Sequence, residues 1–298
     1  VGQRQMCIRD SYSPLGYETV PAVGDFFYTH SYAFMYSTPN THTGVLVYWQ
    51  PEDRIRVGSG VTNGWDNFSD GVPAAVNPGY PDATSNLAYL GSLTVASEEG
   101  GQLLTVAVST GNEYTPAIGP AGQSPGVLVG NRSMITAYWQ NELADRLTSV
   151  TEGHAAWQFN AATGLQNQGQ PDGLAQWYGV SQYLYHGLTD TLSAGVRLEW
   201  FRDNNGFRTA YPARNAATNT SPVAEGFAGN LWGMTVGCNW MPTANWILRP
   251  ELRYDWYTPS AYGNGALPFG PITTRPDGLV TGDAFGQWYI GCDAIFQF

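Results

Sequence analysis

The sequence of 298 residues contains no lysine, and its 13 basic residues are all arginine. Against 24 acidic residues, this gives a formal net charge of −11. Nucleic-acid binding needs a basic surface that neutralises phosphates, so the acidic balance excludes that partner class. Charged residues make up only 12% of the chain while aromatics reach 14%. A disordered chain has the opposite balance and is excluded as well.

Long hydrophobic runs are also missing. A transmembrane helix needs about 18 or more consecutive apolar residues, and no such run occurs in the sequence. The mean hydropathy is −0.25, and glycine contributes 36 residues. A β-rich chain remains, either a large soluble β-protein or a membrane β-barrel.

Sequence motifs for catalysis are missing too. We find no G-x-S-x-G elbow, phosphate-binding loop, dinucleotide fingerprint or H-E-x-x-H pair. The four histidines, His30, His42, His154 and His186, show no ligand spacing. The sequence therefore predicts no enzyme activity, no cofactor and no metal site.

Alternation with period two dominates from about residue 42 to the end, which is the pattern of β-strands. In 245–256, Trp246, Leu248 and Leu252 share an apolar face opposite charged residues. Most of the predicted strands exceed the 9–11 residues that cross a bilayer. We predict eleven strands, near 42–50, 54–64, 84–96, 101–112, 132–142, 145–159, 173–187, 189–202, 225–241, 243–256 and 283–298.

The predicted connections are of two kinds. Very short turns near 51–53, 97–100, 143–145, 188–190 and 242–244 alternate with long Gly/Pro/Asn-rich loops near 65–83, 113–130, 160–172, 204–223 and 257–282. Short turns at one end and long loops at the other are typical of outer-membrane barrels. The polar faces carry Gly, Ser, Thr, Gln and Arg/Glu rather than the Lys and Glu of a solvent face. We therefore predict an all-β fold, a transmembrane antiparallel up-and-down β-barrel with 11–12 visible strands, in the bacterial outer membrane.

Charged residues on the predicted inner faces form a set that we call the charge ladder. Glycines on the strand at 225–241 would leave room for its long arginines to meet. Two roles remain open: a transverse field that selects solutes, or pairs that brace and fill a narrow barrel. The predicted pore-lining members are Arg54, Arg56, Arg132, Arg197, Glu199, Arg249, Glu251, Arg253, Asp255 and Asp293.

Residues 12–41 are rich in aromatics and are a constriction loop folded into the barrel, part of an aromatic girdle, or part of a first strand. The candidate constriction residues are Tyr17, Glu18, Phe26, Phe27, Tyr28 and His30. At the other end of the chain, Phe296 and the terminal Phe298 fit the C-terminal signal that the barrel-assembly machinery reads.

The segments GYETVP at 16–21 and DFFYTHSYAF at 25–34 resemble the GYE…NFFYSHSY stretch of the putative β-barrel porin-2 (OmpL-like) family. The resemblance continues through HTGV at 42–45 and GVTNGWDN at 60–67 and covers the chain from residue 12. Asp25 and Thr29 stand where Asn and Ser are usual. The resemblance implies a porin with further strands and a signal peptide upstream, about 14 strands in all. Residues 1–11 show neither the strand alternation nor the family resemblance. We expect them to be a non-native leader on a truncated single barrel, 12–298.

These patterns predict a passive diffusion channel for small hydrophilic solutes. The alternative is a closed structural or adhesive barrel whose outer loops bind a partner. A barrel enzyme would require a Ser and a His on the outer face, whereas the strand parity turns His154 inward. The expected partners are outer-membrane lipid, the barrel-assembly machinery and small solutes, with the oligomeric state left open.

Overall fold

A computed structural model describes residues 14–40, 42–65, 87–116, 127–161, 173–209, 227–261, 265–271, 273–274, 276 and 280–297. The leader expected at 1–11 and the terminal Phe298 lie outside these residues. So does most of the long loops expected near 65–83, 113–130, 160–172 and 204–223.

Eleven long strands form one sheet in which neighbours follow chain order, β1-β2-β3-β4-β5-β6-β7-β8-β9-β10-β13. The pairs whose registers are defined are antiparallel. A separate pair of two-residue strands, β11 and β12, lies in the region expected as a loop. The strands are β1 (Gly44–Glu52), β2 (Ile55–Thr62), β3 (Ala88–Ala96), β4 (Gln102–Pro116), β5 (Val127–Ala144), β6 (Leu147–Gln158), β7 (Ala175–Gly187), β8 (Leu192–Asp203), β9 (Gly229–Thr243), β10 (Trp246–Pro259), β11 (Thr273–Thr274), β12 (Val280–Thr281) and β13 (Gly286–Phe296).

The predicted up-and-down order of eleven strands is confirmed, and the five short turns fall within about two residues of the predicted positions. Two turns depend on a left-handed backbone, at Gly100 (φ 76°) and at Arg146 (φ 61°). Glycine adopts this conformation without steric cost, whereas arginine does so only in a tight turn.

The region 12–41 is not a first strand where the structure describes it. Residues 14–40 contain a short 3-10 helix, Ala22–Gly24, and a π-helical turn, Ala33–Ser37. Consecutive aromatics at 26–28 break the alternation that a strand requires, and Pro21 and Pro39 cannot donate to a ladder. The partial-strand alternative is therefore wrong for these residues.

Contacts divide the chain into two compact units. The first comprises Val1–Gly16, Thr38–Tyr138 and His154–Gln176. The second comprises Tyr17–Ser37, Trp139–Gly153 and Trp177–Phe298. We call residues 17–37 of the second unit the inner segment.

The strands of the second unit have two chemically opposite faces. Leu198, Met234, Leu252 and Ile290 point away from the inner segment and are exposed, Ile290 to 81%. On β8 and β10 the alternate residues include buried charged side chains such as Glu199 and Arg253, and Arg197 is 0% exposed. A soluble protein buries apolar side chains and exposes charged ones. The inverted arrangement is the one that suits an outer face in lipid.

Among the described residues, no helix is long and apolar enough to cross a membrane.

The outer face generates a stability prediction. Leu198 lies near the middle of β8 and is 49% exposed on that face. Leu198→Arg should lower the free energy of unfolding by about 2–4 kcal/mol if the residue lies near the bilayer midplane. Unfolding of vesicle-inserted protein by denaturant measures this difference.

The matched control is Ala244→Arg, which adds the same charge at an exposed turn between β9 and β10. It should change the stability little, because the turn lies outside the hydrocarbon. Equal losses for the two variants would contradict a lipid-facing Leu198.

Candidate functional site

The charge ladder of the second unit is set by strand register. Arg197 on β8 and Arg253 on β10 both lie opposite Thr235 of β9. One row along, Glu199 and Asp255 both lie opposite Gly233. Because side chains alternate along a strand, all six positions face the same side of the sheet.

Ion pairs join these rows into one network. The Arg197 Nε atom lies 3.3 Å from Glu199 Oε1, and the Arg253 Nη2 atom lies 3.0 Å from the same oxygen. Arg253 Nε lies 2.7 Å from Asp255 Oδ1. All four side chains are buried. Buried charges are tolerated when they are paired in this way.

Glycine on the central strand makes the network possible. The Glu199–Arg253 pair passes over β9 at Gly233, where an added Cβ would lie 2.6 Å from Glu199 Oε1. On β8, a Cβ at Gly195 would lie 2.5 Å from Cε1 of Phe26. These two glycines provide the space for a carboxylate and for an aromatic ring of the inner segment.

The arginines of the ladder also donate to the backbone of the inner segment. Arg197 Nη1 donates to the Thr29 carbonyl oxygen at 2.7 Å, and Arg253 Nη1 donates to the His30 carbonyl oxygen at 2.9 Å. Arg249 Nη1 donates to the carbonyl oxygens of Ala22 at 2.7 Å and Asp25 at 2.6 Å.

Carboxylates of the strands accept from the amides of the same segment. Glu251 Oε2 accepts from the amides of Tyr28 at 2.8 Å and Thr29 at 3.1 Å. Glu199 Oε2 accepts from the Tyr32 amide, and Glu152 Oε1 accepts from the Tyr17 amide at 3.0 Å.

The inner segment therefore obtains from strand side chains the backbone hydrogen bonds that a loop cannot make within itself. Buried amide and carbonyl groups need such partners, and bonds to charged groups are roughly twice as strong as neutral ones. The predicted ladder and the predicted constriction residues thus form one site, in which the ladder holds the segment.

Aromatic rings complete the contact between segment and strands. The Phe26 ring centroid lies 4.7 Å from that of Tyr185, and the Tyr17 centroid lies 5.1 Å from that of Tyr183. The Arg197 guanidinium lies 5.1 Å from the centroid of the Phe27 ring. Offset and tilted rings at these distances attract one another.

Glu18 is a buried carboxyl group of the inner segment that binds side chains of the strands. Its Oε1 atom accepts from Arg197 Nη1 at 2.9 Å and from the Tyr183 hydroxyl at 3.0 Å. Burial alone would raise the pKa of this carboxyl. Arg197, His30 and the Ser31 amide outweigh burial and lower the pKa to about 2, so Glu18 is ionised at neutral pH.

Asp25 lies beside Glu18, and the pKa of its carboxyl is shifted in the opposite direction. Burial, together with the charge of Glu18, raises the pKa of its carboxyl to about 6. The Thr19 amide, which donates to Asp25 Oδ1 at 2.9 Å, opposes that rise.

The remaining ladder member of the second unit, Asp293 on β13, lies opposite Arg249, whose Nε donates to Asp293 Oδ1 at 2.8 Å. Phe296 lies on the outer face, and its ring centroid is 5.0 Å from that of Trp246. Phe298 lies outside the described residues.

The three predicted pore-lining arginines of the first unit are placed differently. Arg54 sits in the β1–β2 turn and forms an exposed ion pair with Glu98 at 2.7 Å. Arg54 does not lie on a strand face, because β1 ends at Glu52 and β2 begins only at Ile55. The alternation of side chains therefore does not apply to it. The structure therefore corrects its place in the ladder.

Arg56 and Arg132 do lie on strands. Arg56 shares its side of β2 with the buried Gly58 and Thr62, and its guanidinium stacks 3.8 Å from the Tyr48 ring centroid. Arg132 Nε donates to Gln158 Oε1 at 2.6 Å.

Sequence reasoning missed three participants, Glu152, Tyr183 and Thr235. Their strand parity signals an inner position. The histidine spacing predicted no metal site, yet the structure brings His30 within reach of Glu18 and Asp25.

The network generates a second stability prediction. Arg197→Met keeps the apolar stem but leaves Glu18 without its arginine partner. Removing one member of a buried ion pair costs about 3–5 kcal/mol, and denaturant unfolding in detergent micelles should show a loss of that order.

Arg146→Met is the control, because Arg146 forms an ion pair with Asp190 at 2.7 Å in which both side chains are exposed. Exposed pairs contribute about 0–1 kcal/mol. A loss at Arg197 no larger than that at Arg146 would refute the structural role of the network.

Comparison with solved structures supports the fold. The chain is similar to OmpT, an outer-membrane protein of Vibrio cholerae folded in vitro, with TM-score 0.52 and 11% identity over 96% of this chain and 75% of that one. The trimer form of the same protein gives TM-score 0.53 and 9% identity over 95% of this chain and 76% of that one. No curated protein sequence matches the chain.

Comparison with family models gives a match over residues 11–298 to the family described as putative beta-barrel porin-2, OmpL-like. The all-β fold of eleven antiparallel strands agrees with that description. The chain belongs to this family of bacterial outer-membrane β-barrels.

Proposed function

We propose that the protein is a passive diffusion channel for small hydrophilic solutes, narrowed by the inner segment. The observation that carries the proposal is the attachment of residues 17–37 to the ladder of strand charges. A loop fixed on the inner face of a barrel reduces the cross-section through which solutes pass. Polar side chains and backbone groups on that loop would then set which solutes enter.

The charges of the second unit support a constriction more than a transverse field. Arg197, Arg249 and Arg253 direct their donors to loop carbonyls and to carboxylates. Arginine and acid are interleaved rather than separated on opposite walls. Selection in this unit would accordingly depend on size and on the groups of the segment.

A second candidate is a closed barrel with a structural or adhesive role. The complete burial of Arg197 beneath the inner segment favours it, because a solute cannot reach that charge. The two candidates differ in whether ions pass through the folded protein.

The outer face fits lipid as its partner, and the outward Phe296 fits recognition of the C-terminal strand by the assembly machinery. We propose no catalytic role.

Planar-bilayer recording of the folded full chain tests the channel directly, and we expect discrete current steps. Glu251→Ala removes the acceptor for the Tyr28 and Thr29 amides. Release of this part of the segment should give larger or more frequently fluctuating steps.

Glu98→Ala is the control, since Glu98 is an exposed acid at a turn, and it should leave the steps unchanged. Circular dichroism and heat-modified gel mobility establish folding of each sample. An absence of current from the folded wild type and from Glu251→Ala would rule out a channel and leave the closed barrel. Current from Glu251→Ala alone would also contradict a passive channel, because the segment would then close the pore.

A further inference from the structure

Three potential metal ligands converge within the inner segment. Glu18, Asp25 and His30 each offer one atom, and these atoms lie within 4.8 Å of one another. His30 Nδ1 is 3.3 Å from Glu18 Oε2 and 3.4 Å from Asp25 Oδ2. The nitrogen therefore lies beside two carboxylate oxygens from two different residues.

The two nitrogen–oxygen separations match a tetrahedral metal centre, and the two carboxylate oxygens lie within 4.8 Å of each other. Zinc binds histidine nitrogen and carboxylate oxygen at about 2.0–2.2 Å in tetrahedral sites, which puts neighbouring ligand atoms about 3.3–3.5 Å apart. Both nitrogen–oxygen separations lie in that range. They are long for hydrogen bonds to a ring nitrogen, whose usual length is about 2.9–3.0 Å.

In each carboxylate, the oxygen that does not face His30 accepts hydrogen bonds from other residues. Glu18 Oε1 accepts from Arg197 and Tyr183, while Asp25 Oδ1 accepts from the Thr19 amide and hydroxyl at 2.9 and 3.2 Å. Hydrogen bonds of this kind orient ligating carboxylates in metal sites. They leave Asp25 Oδ2 and Glu18 Oε2 directed at the histidine, and Glu18 Oε2 also accepts from the Ser31 amide at 2.7 Å.

Asp25 Oδ2 supplies an independent observation. The side chain is only 10% exposed, and this oxygen is buried and accepts no hydrogen bond within the described part of the chain. A buried carboxylate oxygen without a donor is costly, so it calls for a cation or a proton. A cavity of about 100 Å³, bordered by Glu18, Asp25 and Phe26 but not by His30, adjoins the two carboxyl groups.

The balance of charge also favours a cation. The described residues of the second unit that hold or form the inner segment's network include three more carboxyl groups than guanidinium groups. The carboxyls are Glu18, Asp25, Glu152, Glu199, Glu251, Asp255 and Asp293, and the guanidinium groups are Arg197, Arg208, Arg249 and Arg253. Arg197 repels a metal ion near Glu18, but this surplus of acids more than offsets one such charge.

We propose that Glu18, Asp25 and His30 bind a divalent transition-metal cation of the zinc type. The imidazole nitrogen selects against magnesium and calcium, which prefer oxygen ligands, and suits zinc and its neighbours in the series. The three ligands are spaced over thirteen residues of one loop. A bound metal would therefore link the start of the inner segment, at Glu18, to its middle, at Asp25 and His30. The proposal does not depend on channel activity.

The test is titration of the folded full chain, without a histidine tag, with Zn²⁺ and with Co²⁺ at neutral pH. All three cysteines, Cys7, Cys238 and Cys292, are replaced by serine so that thiols cannot bind the metal. Calorimetry should give one zinc per chain, and bound Co²⁺ should show the strong visible absorption of a tetrahedral ion.

Two variants remove a ligand each. Asp25→Asn removes the carboxylate charge at nearly unchanged size, and His30→Gln keeps a polar side chain. Each should weaken zinc binding by more than the roughly 10–100-fold that loss of an outer-shell partner costs. His186→Ala, which changes an exposed histidine of β7, should leave the affinity unchanged.

Circular dichroism of each variant checks that the barrel has folded. The proposal is overturned if the folded protein binds no zinc, if bound Co²⁺ has the weak spectrum of an octahedral ion, or if His186→Ala weakens binding as much as His30→Gln. A channel that conducts but binds no zinc would refute this site alone, and a zinc-binding protein that carries no current would refute the proposed function alone.

Discussion

Hydrogen bonding between buried strand charges and the backbone of the inner segment is the interaction on which the site depends. A charged side chain on the inner face needs a partner, and so does each buried amide or carbonyl of a loop. Here each supplies the other's partner. Glu251 accepts hydrogen bonds from two amides of the segment, and Arg249 donates hydrogen bonds to two of its carbonyl oxygens.

This requirement explains why arginine serves on the inner face. A guanidinium has five donors in a rigid fork, so one side chain can bind a carboxylate and a carbonyl together. Arg197 does so with Glu18 and Thr29, and Arg253 does so with Asp255 and His30. The ammonium group of lysine has three donors at one point and could not span these acceptors in the same way.

The alternation of residues was enough to predict the strands, the short turns and the inner position of Arg197, Glu199 and Arg253. Alternation of apolar and polar residues with period two identifies a strand and also shows which side chains share each of its faces. Arg54 was misplaced because parity carries no information beyond the end of a strand.

The contacts of the inner segment could not be predicted in the same way. Glu18, Asp25 and His30 are separated by irregular intervals in a loop without a period. Their convergence depends on hydrogen bonds from residues more than a hundred positions away, such as Arg197 to Glu18. A histidine count with no regular spacing therefore gave no sign of the cluster.

Amide hydrogen exchange of the folded protein tests the central claim most directly. If strand charges hold the inner segment, the amides of Tyr28, Thr29 and Tyr32 should exchange far more slowly than those of an open chain. Glu251→Ala should accelerate Tyr28 and Thr29 while Tyr32, which is bound by Glu199, remains protected. Exchange of all three amides at the open-chain rate in the wild type would contradict the account.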